Sequence, residues 1–261
     1  DKPGRREFRV QIPEIRDEHS ATNNVTAVAV NVTDAALRIL ICDSRARWEY
    51  QYLVNLFRRQ KQIEFDQLQF FPDPTGTGRR EATAELPRTA DEWAEYRVVI
   101  LGDIGPEQLN VEGQAALREY IVDRGGSLIA ISGQDAMPQS FTPGPLLDLL
   151  PVEQNSGFRE DKAGYRVEMT AEARTMDAMR LTDDVVSTET VWREMSDVLP
   201  VYWLSEYNRP KPASEILLSA ISNRSGAVAT PMAYLCWHRT GAGRVAFLSS
   251  PSTYQLRMRN G

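Results

Sequence analysis

The stretch GGSLIAISGQDAMP, residues 125–138, changes character half-way. Gly125 and Gly126 form a turn signal, and Leu128–Ile131 is a short apolar run of the kind that forms a strand buried on both faces. Ser132–Gly133–Gln134–Asp135 then returns the chain to a polar loop. In many α/β enzymes the turn after such a strand carries the nucleophile. How this turn is read therefore bears on the fold and on catalysis together.

Working outward, the same grammar recurs. ALRILICD (36–43) reads as a buried strand and RARWEYQYLVNLFRRQ (45–60) as a helix, with Trp48, Tyr52, Leu53, Leu56 and Phe57 near one face. QIEFDQLQFF (62–71) is the next strand. PDPTGTGRREATAELPRT (72–89) is a long polar surface loop. YRVVILGD (96–103) is a third strand, NVEGQAALREYIVDRGG (110–126) a helix that stops at glycine, and SLIAIS (127–132) a fourth strand. Strand–helix–strand at this spacing predicts a doubly wound, mostly parallel α/β sheet of flavodoxin-like type. The second half is less regular. GYRVEMTAEA (164–173) reads as a strand leading into a helix, and strands are expected over 214–221, 226–238 and 244–250, with antiparallel edge strands on the mostly parallel sheet.

Residues 1–35 follow another pattern. REFRVQIPEI places Phe8, Val10 and Ile12 on one side, and NNVTAVAVNVTD places Val28, Val30 and Val32 likewise. Period two with β-branched residues predicts a half-buried antiparallel hairpin. Two strands alone are marginal, so the hairpin is expected to close a β-sandwich. The domain expectation is 1–35 for this β segment and 36–261 for the α/β domain. The chain opens on Asp1, and a piece of a longer protein is the expectation. Asn24–Val25–Thr26 and Asn31–Val32–Thr33 match the glycosylation sequon, a pattern that also arises by chance.

The formal charge of −6 supplies no basic field for nucleic acid. No apolar run nears the roughly 20 residues that cross a bilayer. Cys42 and Cys236 sit in apolar runs and read as core packing. His19 and His238 are the two histidines, without CxxC or HExxH spacing, so neither metal nor cofactor is expected.

Ligands of open α/β sheets bind beyond the carboxyl ends of the strands. That rule gathers Asp43 and Arg45 after the first strand, Asp103 after the third, and Ser132 and Gln134 after the fourth. Trp48 stands beside them as an aromatic wall or, alternatively, as helix packing on the sheet. Ser132 is a weak candidate nucleophile. A nucleophile elbow needs small flanking residues, and Gln134 is too large for the second flank. His238 precedes a turn, a poor place for the partnering base. Asp43 and Asp103 could hold Mg²⁺, but the paired acid and the strand-end lysine of a phosphoacceptor site are missing. Pairing of these acids with Arg45, Arg47 or the backbone is the plainer reading.

RILICDSRARWEYQYLVNLFRR, VVILGD, LREYIVDRGGSLIAISGQDAMP, LLDLLPVE and GAGRVAFLSS together resemble the class I glutamine amidotransferase-like domain of large bacterial membrane-associated proteins. Those proteins also carry von Willebrand factor A and immunoglobulin-like segments, and the hairpin fits the latter. True class I amidotransferases have a cysteine at the elbow and a His-x-Glu pair later. Here Ser132 stands at the elbow, and the sequence contains no His-x-Glu. The resemblance implies a catalytically degenerate domain acting as a binding or scaffolding module. Its partners would be other domains of a longer chain, proteins or a small ligand, on the extracytoplasmic side of a bacterial membrane. The rival expectations are a hydrolase using Ser132 or partner-supplied residues, and a small-ligand or sugar-binding sensor. No nucleic acid and no membrane contact by this chain are expected.

Overall fold

The structure is a computed structural model. It describes residues 4–13, 24–32, 37–70, 85–153, 157–198, 200–205, 209–224 and 231–253. His19 and most of the expected 72–89 loop lie outside the described residues. The chain divides into two compact units, Asp1–Ala36 and Leu37–Gly261.

The first unit is a hairpin. β1 (Gly4–Gln11) pairs antiparallel with β2 (Val25–Val32), with Phe8 opposite Val28 and Val10 opposite Thr26. Alternation places Phe8, Val10 and Ile12 on one face, and all three are exposed, as is Val28.

The second unit is built on one nine-stranded sheet. In chain order its strands are β3 (Leu37–Asp43), β4 (Ile63–Gln69), β5 (Val98–Leu101), β6 (Ser127–Ile131), β7 (Phe158–Met169), β8 (Val201–Ser205), β9 (Glu215–Ser222), β10 (Met232–Thr240) and β11 (Gly243–Leu248). Across the sheet they lie in the order β4-β3-β5-β6-β11-β10-β9-β7-β8. The four pairings from β4 to β11 are parallel. The four from β11 to β8 are antiparallel. The expected doubly wound, mostly parallel, flavodoxin-like α/β fold is therefore wrong: the sheet is mixed, with as many antiparallel as parallel pairings. A doubly wound sheet needs a crossover helix after nearly every strand. The described residues contain five α-helices, and only α1 (Trp48–Arg58), α3 (Val111–Val122) and α5 (Val185–Val198) exceed two turns. α2 (Ala90–Trp93) and α4 (Pro145–Leu149) are single turns. β10 and β11 are joined directly by Gly241–Ala242, a connection that permits only antiparallel pairing.

The inner parallel strands β3, β5 and β6 are mostly apolar because both faces are covered, whereas the edge strand β4 is only partly buried and carries Glu64, Asp66 and Gln67. On one face Leu40, Leu101, Leu128, Val245 and Phe247 meet Leu117 and Ile121 of α3 and the leucines of α4. On the other, Ile39, Ile41, Ile100 and Leu248 share a core with Tyr50 and Val54 of α1 and with Trp192 and Met195 of α5. The inward stripe of α1 is Tyr50, Leu53, Val54 and Phe57, an i, i+3, i+4, i+7 set. Trp48 and Leu56, expected near that stripe, are exposed. Asn110 caps α3 by accepting the Gly113 N–H at 2.9 Å. A Thr89–Glu92 capping box starts α2.

Cys42 and Cys236 are buried and free, and burial pushes both thiols up, that of Cys236 to about 12. His238 is buried, with Nε2 2.7 Å from the Leu149 carbonyl at the end of α4. Lys211 Nζ donates to the neighbouring Leu147 and Asp148 carbonyls at 2.9 and 3.0 Å. Desolvation, with a smaller push from the Lys211 charge, lowers the His238 pKa below its ordinary 6.5, although the bond to Leu149 opposes the shift.

Unfolded His238 thus takes up a proton more readily than folded His238. Its contribution to stability is full above about pH 6.5 and declines as pH falls below that value. Urea midpoints should drop between about pH 7.5 and about pH 5.5. His238→Gln, which cannot titrate, should flatten that limb of the profile.

Candidate functional site

The carboxyl ends of β3, β5 and β6 lie side by side, because these strands are adjacent and parallel. Two buried carboxylates organise the loops beyond these ends. Asp43, the last residue of β3, receives hydrogen bonds from Arg47 Nε at 3.0 and 3.1 Å and from Nη2 at 2.8 Å. The third guanidinium nitrogen, Nη1, donates to the Ser132 carbonyl at 3.1 Å. Arg47 thus ties the end of β3 to the end of β6, over Gly102, the residue that follows the intervening strand β5. A β-carbon at Gly102 would fall 2.1 Å from Asp43 Oδ2, so no larger residue fits beneath the pair. Burial raises the Asp43 pKa, and the Arg47 charge and hydrogen bonds pull it partly back.

Asp103 does the corresponding work on the other face. Its Oδ1 accepts the backbone N–H groups of Ala136 and Met137 at 2.7 and 2.8 Å, and Oδ2 accepts that of Asp135 at 3.1 Å. One carboxylate so holds the loop after β6 in shape. Gly133 lets it approach, since a β-carbon there would sit 1.9 Å from Asp103 Cγ.

Ser132 is fully buried. Its hydroxyl donates to the Met137 carbonyl at 3.3 Å, and the Gly133 N–H donates to that same oxygen at 2.8 Å. In an elbow the N–H following the nucleophile helps to stabilise the oxyanion. Here that donor is engaged inside the loop, and the hydroxyl faces no base.

Arg45, two residues before Arg47, turns outward to Asp135, 2.5 Å away, with both side chains more than half exposed. Beneath this bridge is a cleft of about 250 Å³, whose lining includes Ser44, Arg45, Asp103, Glu107, Gln108 and Asp135. Of the residues expected to share one crevice, Arg45 and Asp103 line this cleft. Asp43 and Ser132 lie at the same strand ends but are buried outside it. Gln134 is exposed and does not line it. Trp48 is exposed as well, its ring centroid 6.4 Å from that of Tyr52, and forms no wall of the cleft.

Sequence reasoning passed over Ser44, Glu107 and Gln108 and gave Arg47 only a pairing role. The legible signal was the Asp43–Arg47 spacing of four at a strand-to-helix junction. Ser44 carries a further feature. Its Oγ is buried without a hydrogen-bond partner in the protein, a condition shared among the described residues only by Trp93 Nε1. The neighbouring buried serines are satisfied: Ser249 donates to the Ala233 carbonyl at 2.7 Å, and Ser250 bonds Ser252 at 2.9 Å. Among the described residues no group of three or more His, Cys, Asp or Glu side chains is placed to hold a metal ion.

No family model matches the chain, and no curated protein is similar to it in sequence. Among solved structures, a cytoplasmic protein from Salmonella typhimurium is similar in fold, with a TM-score of 0.54 at 14% identity, over 98% of this chain and 94% of that one. The GH42 β-galactosidase Gan42B gives a TM-score of 0.44 at 10% identity, over 88% of this chain and 30% of the enzyme. The exo-β-1,4-mannosidase Op5Man5 from Opitutaceae bacterium strain TAV5 gives 0.41 at 11%, over 86% and 33%. The first shares the fold; at their scores the two glycosidases carry no argument. None of the three is described as an amidotransferase, a von Willebrand factor A protein or an immunoglobulin-like protein.

The two arginines should behave oppositely on substitution. Arg47→Met strands a buried carboxylate and should cost about 3–5 kcal/mol in chemical denaturation. Arg45→Ala breaks an exposed pair and should cost less than about 1 kcal/mol. Asp103→Ala leaves three backbone donors unpaired and should cost at least about 2 kcal/mol.

Proposed function

We propose that the second unit is a non-catalytic binding module whose ligand site is the cleft beneath the Arg45–Asp135 bridge. The observation that carries this reading is the occupied elbow. The Ser132 hydroxyl and the Gly133 N–H both spend their hydrogen bonds on the Met137 carbonyl. Nucleophilic catalysis needs a hydroxyl within reach of a base and a free donor for the developing negative charge. The degenerate amidotransferase-like reading of the sequence agrees with this arrangement, and scaffolding within a longer chain stays part of the proposal. The cleft adds a ligand-sized opening at the carboxyl ends of parallel strands, where open sheets bind their ligands. Its exposed Arg45–Asp135 bridge is weak enough to open for a ligand.

Two measurements test the reading on the purified chain. Ammonia release from glutamine and hydrolysis of a nitrophenyl ester should both stay at background. Turnover abolished by Ser132→Ala would overturn the proposal. A thermal-shift screen of small polar compounds should find ligands whose effect is lost in Asp135→Lys, which places a long cation in the cleft mouth.

A further inference from the structure

We infer that the ligand of this cleft is a small organic cation, a primary amine that also carries a hydroxyl or a second amino group; the inference rests on the binding-module reading above. Three carboxylates, Asp103, Glu107 and Asp135, line the cleft against one guanidinium, Arg45. Arg45 is already paired with Asp135, which leaves Glu107 and the inward Asp103 to set the sign of the field. In a concave site that field concentrates cations and repels phosphate or carboxylate groups. The acids are not assembled as a metal cage. Asp103 gives its oxygens to three backbone N–H groups, and Asp135 gives one to Arg45.

Ser44 supplies an independent observation. It is 4% exposed, lines the same cleft, and its Oγ has no protein partner. A buried hydroxyl left unpaired is costly, and one beside a cleft is a ready partner for a ligand group. It accepts from an ammonium or donates to a ligand oxygen. The Gln108 carboxamide, whose Oε1 accepts the Gly105 N–H at 2.8 Å and whose Nε2 donates to Glu107 at 3.3 Å, fixes Glu107 along one wall. The volume limits the ligand. A cleft of about 250 Å³ admits a small compound and not a polymer segment.

The test is calorimetric titration of the whole chain with four probes: 1,4-diaminobutane, ethanolamine, glucose and inorganic phosphate. The two amines should bind, and raising sodium chloride should weaken them by screening. Glu107→Gln and Asp135→Asn should each weaken the amines about tenfold. Both residues are exposed, so the variants should fold. Ser44→Ala should weaken the amines too, while leaving the Tm of the unliganded protein unchanged or higher, since it deletes an unpaired buried hydroxyl. Binding of glucose or phosphate that Asp135→Asn alters, with the amines silent, overturns the cationic assignment and keeps the binding-module reading. Amine binding indifferent to Glu107→Gln, Asp135→Asn and salt also overturns it. Silence of all four probes overturns the assignment and removes the support this cleft lends to the reading above.

Discussion

A single guanidinium holds the strand ends in register. Arg47 bonds both oxygens of Asp43 at the end of β3 and the carbonyl of Ser132 after β6, and Gly102, the residue after β5, passes beneath it. A buried ion pair is a poor source of net stability, because desolvating two charges offsets most of their attraction. The raised Asp43 pKa expresses that cost. What the pair supplies is geometry: a planar fork with fixed donor directions selects one spacing between two loops. Asp103 repeats the device with backbone donors, and together the two carboxylates decide where the cleft can open. The mouth is left to Arg45 and Asp135, whose exposed pair is easily broken.

The parallel half of the sheet was readable because it obeys the simplest rule. β3, β5 and β6 are buried on both faces, so their residues are apolar without alternation, and glycine or polar residues mark their ends. In the antiparallel half β9 and β10 were legible as apolar runs, β7 was read only in part and β8 was not read at all. β7 runs through Glu160, Asp161 and Lys162 and has a register irregularity between Glu160 and Tyr165, so its alternation breaks in the middle of the strand. α5 is rich in valine, serine and threonine, residues that do not favour helix interiors, and it forms because Trp192 and Met195 find a core on the sheet. In α1 the apolar arc is wide enough for two stripes. Packing chose Tyr50, Leu53, Val54 and Phe57 and turned Trp48 outward.

The site was legible by position and not by orientation. Topology places Asp43, Asp103 and Ser132 at neighbouring strand ends, as the strand-end rule requires. Which way each side chain turns depends on the period-two alternation continuing past the last paired residue. Asp43 follows Ile39 and Ile41 to the α1 face, whereas Asp103 follows Leu101 and Val99 to the α3 face. A list of strand-end residues cannot carry that difference, and it separates a buried clamp from a cleft wall. Gln134 illustrates the same limit: Asp103 grips the backbone of the next three residues, and Gln134 is left on the outside.

The loop after β6 cannot serve as clamp and elbow at once. An elbow keeps its nucleophile exposed and at least one following N–H free, and accepts strain to do so. In this chain the N–H groups of residues 133, 135, 136 and 137 are all consumed, the first by the Met137 carbonyl and the other three by Asp103. A cysteine in place of Ser132 would meet the same burial and the same engaged donors. Freeing the last three of these donors would mean releasing Asp103 from the loop, and that would dismantle the wall of the cleft.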